Sequence, residues 1–152
     1  MSKTLSVAAI QNGTVIDHIT AGQALRIIHM LGLLAKKQCV TVGLNLSSQR
    51  LKLKDLIKIE NHMLSNNEAN EVTIFAPEAT INIIKNFEVV EKVVPRLPSH
   101  AIGIFLCPNP SCITHVEPVE SYFHIQDEGN LVKLRCHFCE KTYDRNRIKI
   151  KI

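Results

Sequence analysis

The chain reads as an α+β protein in two parts, and three features of its 152 residues carry that reading. Apolar patterning over the first two-thirds follows the order strand, helix, two strands, helix, strand. Pro95 and Pro98 then interrupt the pattern and favour an extended connector. Beyond them lie four of the five cysteines, in two short pairs. Together these predict an N-terminal ferredoxin-like α/β sandwich over residues 1–96 and a C-terminal small all-β domain over residues 97–152.

The elements follow in order. An apolar run from Leu5 to Ile10, a turn signal at Asn12-Gly13 and a β-branched run from Thr14 to Ile19 predict strand material. Between about 21 and 35, Ala24, Leu25, Ile27, Ile28, Leu31 and Leu34 recur at helical spacing, as in a helix packed on a sheet. Residues 39–46 and 55–60 read as extended, with Cys39 expected as a small core hydrophobe. Ser65 followed by Glu68 has capping-box spacing and predicts a short helix towards Pro77. Residues 80–84 and 87–91 are again strand-like. In the second part, strands are expected at 101–107, 122–126 and 131–136, with Asp127-Glu128-Gly129-Asn130 turning between the last two.

Composition narrows the function. The N-terminus lacks the basic head and long apolar middle of a secretory signal, and no run approaches the roughly 20 apolar residues that span a bilayer, so a cytoplasmic protein without membrane contact is expected. The formal charge of +4, from 18 basic and 14 acidic side chains, is modest for a protein that lives on nucleic acid. No serine-nucleophile motif, paired catalytic carboxylates or glycine-rich phosphate loop occurs, so a catalytic role has no support.

Cys107 and Cys112 are separated by four residues, Cys136 and Cys139 by two, and 23 residues lie between the pairs. Two such knuckles can converge on one tetrahedral Zn²⁺, whose d¹⁰ shell accepts four thiolates and leaves no position for water. A structural ion is expected, because about 55 residues with few large apolar side chains bury too little surface to fold alone. Spacing alone leaves an iron–sulfur site open. His115 and His137 neighbour the cysteines and are expected to face solvent or lie outside the ligand shell. Lys141, Arg145, Arg147, Lys149 and Lys151 raise a rival reading, a nucleic-acid-binding zinc ribbon. From Pro95 onward, however, 8 basic and 6 acidic residues leave +2, which four thiolates around a dication cancel.

Polar residues interrupt the strands of the first part at Asp17, His18, Lys58, Asn82 and Lys92. Side by side, such groups have the chemistry of a nucleotide site, since lysines bind phosphates and His or Asn can hydrogen-bond ribose or base. Spacing by itself favours solvated strand residues.

The segments Gly13-Thr14-Val15-Ile16-Asp17-His18-Ile19, Gly43-Leu44-Asn45-Leu46, 54–61 (KDLIKIEN) and 76–82 (APEATIN) closely resemble the aspartate carbamoyltransferase regulatory chain family. So do 107–113 (CPNPSCI) and 136–140 (CHFCE), so the likeness covers nearly the whole chain. The resemblance implies a ferredoxin-like effector domain binding CTP and ATP, and a domain with one structural zinc that docks on the catalytic chain. It further implies regulatory-chain homodimers, three of which join two catalytic trimers. Carried over by motif, Asp17 and His18 contact the nucleotide, and Lys58 and Lys92 the ribose and phosphates. Asn82, Ile84 and Val89 line the pocket, Ala9 and Ile10 offer backbone groups to the base, and Lys54 adds charge. Phe87 stands where the resemblance leads one to expect a tyrosine, and Ala8 where it leads one to expect an acid. Each change removes a polar contact, so base preference does not carry over.

Overall fold

The computed structural model describes residues 8–129 and 131–151. It divides into two compact units, Met1–Arg96 and Leu97–Ile152. In the first, β1 (Gly13–Thr20), α1 (Ala24–Met30), β2 (Val40–Ser48), β3 (Lys52–Glu60), α2 (Asn66–Val72), β4 (Thr80–Lys85) and β5 (Glu88–Val93) follow one another. The strands form one sheet in the order β2-β3-β1-β4-β5, with antiparallel neighbours. Strands β2, β3, β1 and β4 have the ferredoxin-like arrangement, and β5 extends it as a hairpin on β4.

The core lies on one face of this sheet, because side chains alternate along each strand. Ile16, Ile19, Ile57, Ile59 and Ile81 are buried there with Ala24, Ile27, Ile28 and Leu31 of α1 and its following turn, and with Ala69, Val72 and Phe75. The capping box forms as expected: Glu68 N–H donates to Ser65 Oγ at 3.1 Å, and Ser65 N–H to Glu68 Oε1 at 3.0 Å.

Asp55 is buried completely on the same face. Its Oδ2 accepts the N–H groups of Gly22 (2.9 Å) and Ala24 (3.2 Å), and its Oδ1 that of Asn45 (3.0 Å). Both neighbouring strands bulge beside it. Asp17-His18 of β1 together oppose the single residue Leu56 between Ile16↔Ile57 and Ile19↔Asp55, and Leu44-Asn45 of β2 oppose Asp55 alone between Gly43↔Leu56 and Leu46↔Lys54, so each bulge adds one residue.

Several expectations need correction. Residues 5–7 lie outside the described residues, and Ala8–Ile10 are not strand. Asn12-Gly13 is not a hairpin turn, because the segment before β1 is held across the strand ends. Gln11 C=O accepts Phe87 N–H (2.9 Å), Asn12 C=O accepts Asn61 N–H (3.0 Å), and Asn12 Oδ1 accepts Asn86 N–H (3.2 Å). Regular helix stops at Met30, since Gly32 takes a left-handed φ of 65° and turns continue to Lys37. The buried stripe is therefore Ala24, Ile27, Ile28 and Leu31, whereas Leu25 (64%) and Leu34 (80%) face solvent. Cys39 is exposed and not a core residue, because it immediately precedes the edge strand β2.

The second unit has β6 (His100–Ile102), β7 (Phe105–Leu106), β8 (Tyr122–Glu128), β9 (Leu131–Cys136), β10 (Thr142–Asp144) and β11 (Lys149–Ile150), with 3₁₀ turns at Ile113–His115 and Arg145–Arg147. The single strand expected over 101–107 is two, because Gly103 at φ 73° breaks it. β6 joins the sheet β10-β9-β8-β6, and β7 pairs with β11. The turn expected over residues 127–130 is narrower, as β8 continues to a Glu128↔Leu131 pair. Among the described residues, no helix is long and apolar enough to cross a membrane.

Replacing Asp55 with alanine strands three N–H groups, of the bulge and of the start of α1, in a buried setting. Each such group costs about 1–3 kcal/mol, so a net loss of roughly 3 kcal/mol is expected in urea unfolding followed by circular dichroism. A parental midpoint would show that the carboxylate does not anchor the unit.

Candidate functional sites

The strand register decides which polar side chains share a face. Lys58 of β3 is paired with Val15 of β1, Val15 with Asn82 of β4, and Asn82 with Lys92 of β5. Directly paired residues point the same way, so Lys58, Asn82 and Lys92 lie in one row on the face opposite the helices. The next row holds Gly13, Ile84 and Val89, and Asp17 is paired with Thr80 on the other side. Sequence spacing favoured unconnected solvated positions. The sheet instead brings these residues together.

Lys58 is only 9% exposed, and its Nζ donates to Ala8 C=O at 2.6 Å. Burial lowers the pKa of its ammonium, and the negative charge of Asp17 offsets this in part. Lys92 and Val89 are exposed, and Asn82 is half-buried. Ala9 is exposed and Ile10 buried, in the segment whose Ala8 carbonyl reaches Lys58.

Asp17 and His18 occupy the β1 bulge. Asp17 Oδ1 accepts from Lys54 Nζ at 2.8 Å and from His18 N–H at 2.6 Å. Burial alone would raise the Asp17 pKa, but these two bonds and the charges of Lys54 and His18 outweigh it and hold the carboxyl below its ordinary value. His18 has φ 56°, which directs its ring to Thr80, with Nδ1 2.9 Å from Oγ1. Sequence reading missed Thr80 as a partner; its pairing with Asp17 is visible only once β4 is in register. Phe87, 63% exposed in the β4–β5 turn, has left-handed backbone at φ 67°.

In the second unit the four cysteines converge. Cys107 follows β7, Cys112 precedes the 3₁₀ turn at Ile113–His115, Cys136 ends β9, and Cys139 lies in the next turn. Each knuckle is closed by its own backbone: Cys112 N–H donates to Asn109 C=O (3.1 Å), and Glu140 N–H to Cys136 C=O (2.9 Å). The sulfurs all lie within 4.8 Å of one another, with Cys107–Cys139 and Cys112–Cys136 both at 3.7 Å. Four thiolates at 2.3 Å from a tetrahedral zinc ion stand about 3.8 Å apart, so the geometry fits that ion.

The thiols differ in acidity. Burial raises Cys139, but the Lys141 N–H, the Asn109 side chain and the thiols of Cys107 and Cys136 outweigh it and bring the pKa to about 7. Burial and then the neighbouring sulfurs push Cys107 and Cys136 up, against backbone N–H bonds that lower them. A dication supplies the charge that lets all four ionise, with release of their protons. His115 is exposed and its Nε2 is 2.9 Å from Cys107 C=O, while His137 is exposed and pairs with His124. Neither enters the sulfur cluster.

A ferredoxin-like unit with a polar sheet face, followed by a four-cysteine metal module, defines a two-domain protein whose metal site is structural. The profile described as aspartate carbamoyltransferase regulatory chain, allosteric domain, matches residues 5–96, and that described as its metal binding domain matches residues 99–149. The aspartate carbamoyltransferase regulatory chain of Tolumonas auensis is 50% identical over 143 residues, covering 94% of this chain and 93% of that protein. Those of Chromobacterium violaceum (47% over 146 residues, 96% of each chain) and Aeromonas hydrophila (46% over 142 residues, 93% and 92%) are similar. The chain belongs to the aspartate carbamoyltransferase regulatory chain family.

Two outcomes are expected. The Asp17 pKa is depressed on folding, so its stabilising effect is fully present above its ordinary value of 3.8 and lost as pH falls through the folded value. Asp17→Asn should therefore lower the melting temperature at neutral pH and converge on the parent below that value; a constant difference at all pH would contradict the ion pair. Stripping the metal with a mercurial should collapse the amide NMR signals of residues 97–152 while those of β1–β5 stay dispersed, since structural zinc contributes on the order of 10–16 kcal/mol in small modules. Dispersed signals from both units would exclude a structural ion.

Proposed function

We propose that this chain is the non-catalytic subunit through which CTP and ATP regulate a cytoplasmic aspartate carbamoyltransferase. The observation that carries the nucleotide reading is the row of Lys58, Asn82 and Lys92 on one sheet face, flanked by the Asp17-His18 bulge. A largely buried ammonium such as Lys58 gains more from an arriving triphosphate than an exposed one does, because the anion offsets the charge that burial penalises. Lys92 reaches the phosphates from the outer strand, Asn82 the ribose or base, and Ile84 and Val89 supply an apolar wall. Lys54 holds Asp17 ionised beside His18. The backbone of Ala9 and Ile10 offers groups to the base.

The zinc module docks on the catalytic chain, and regulatory homodimers join catalytic trimers, three dimers to two trimers. Zinc here shapes the docking surface and has no catalytic part, as four sulfur ligands complete its shell. Regulation requires that each nucleotide bind one quaternary state more tightly than the other. Couplings of about 1–3 kcal/mol change substrate affinity some 5- to 150-fold.

The test is calorimetric titration of CTP and ATP into the chain reconstituted with its catalytic partner, alongside aspartate saturation. Lys92→Ala should weaken binding of both nucleotides roughly tenfold, through loss of a charge-assisted contact, without releasing the catalytic chain. Parental affinity in Lys92→Ala and Asn82→Ala would remove the site from this face. Nucleotide turnover by the isolated chain would refute a purely regulatory role.

A further inference from the structure

The outer face of the β10-β9-β8-β6 sheet gathers imidazoles that no role above uses. His100 of β6 pairs with His124 of β8, and His137 follows the end of β9, diagonal to His124. His124 Nε2 lies 3.0 Å from His137 Nδ1. Tyr122 packs against both, with ring centroids 5.0 Å from His124 and 4.8 Å from His137, and stacks on His100 at 5.5 Å.

We propose that His124 and His137 form a second metal site, separate from the four cysteines, that binds a divalent ion of the Cu²⁺ or Ni²⁺ class. An ion 2.0–2.1 Å from two nitrogens that stand 3.0 Å apart sees them at roughly 95°. That is the cis angle of square-planar or octahedral coordination, the preference of Cu²⁺ and Ni²⁺, and it is narrower than the tetrahedral angle that zinc takes. Imidazole nitrogen suits these ions, and two protein ligands leave the other positions to water.

The pair is held in place before any ion arrives. His137 N–H donates to Tyr122 C=O at 2.8 Å, and the Phe138 ring meets the His137 ring edge-on at 5.3 Å. In the neutral pair one nitrogen donates a proton to the other. On metal binding that proton moves to the second nitrogen of its own ring, so both lone pairs face the ion and no net proton is lost. Half-buried Arg135 pairs with His124 and opposes a cation, which makes the site weaker than the four-thiolate one. His100, across the strand from His124, is the nearest further imidazole in the register.

The full chain, zinc-loaded and freed of excess metal, is titrated with Ni²⁺ by calorimetry at neutral pH, with zinc content measured before and after. Saturable binding of one equivalent is expected, with zinc retained. Loss of a ligand should weaken it at least about tenfold in His124→Gln and in His137→Gln, and His29→Gln, on α1, should match the parent. If His137→Gln also sheds zinc, the comparison rests on His124→Gln, whose strand lies outside the knuckle. Non-saturating binding, parental affinity in His124→Gln, or release of one zinc per nickel bound would overturn the proposal.

Discussion

The Asp55 carboxylate accepts three backbone N–H groups where water does not reach, and the layout of the first domain follows from where those groups must stand. One pair belongs to the start of α1, and the third comes from the β2 bulge. The β1 bulge lies on the other side of the same residue. It resolves a parity problem, because Ile16 and Ile19 are both wholly buried although three residues apart. A regular strand would place them on opposite faces. The extra residue restores Ile19 to the core and leaves Asp17 and His18 at a kink, where Lys54 and Thr80 hold them.

The second domain solves a different problem. Its apolar interior is small, built on the edge-on pair Phe105–Phe123 (6.0 Å, 83°) with Ala101, Val132, Leu134 and Ile148. Three of the four clustered cysteines are buried as well, so a metal ion takes the place that further apolar side chains hold in a larger domain. The two units differ physically: one packs an apolar sheet face against its helices, and the other gathers four cysteines within reach of one ion.

Much of this was legible in the residues. The cysteine spacing, the capping box at Ser65 and Glu68 and the strand–helix order each rest on local chemistry, and each is found in the structure. What could not be read depends on register. Nothing local shows that Lys58, Asn82 and Lys92 share a row, since they come from three strands whose pairing is set by the whole sheet. The same limit misplaced Cys39, Leu25 and Leu34, which are apolar by type, but Cys39 precedes an edge strand, Leu25 lies on the solvent face of α1 and Leu34 lies beyond the helix end. The break at Gly103 was missed because a single glycine within an apolar run is also compatible with a continuous strand.

Gly13 opens β1 at φ 141°, and a Cβ built there would lie 2.0 Å from Ile59 O, 3.0 Å from Ile59 C and 3.1 Å from Asn61 N. All three obstacles are main chain, so no rotamer change can make room. Every single-nucleotide change that alters the encoded residue at a glycine codon either adds at least that carbon or ends the chain. The entry to the central strand therefore has no one-step neighbour in coding space that keeps this close packing, whatever the chemistry of the side chain introduced.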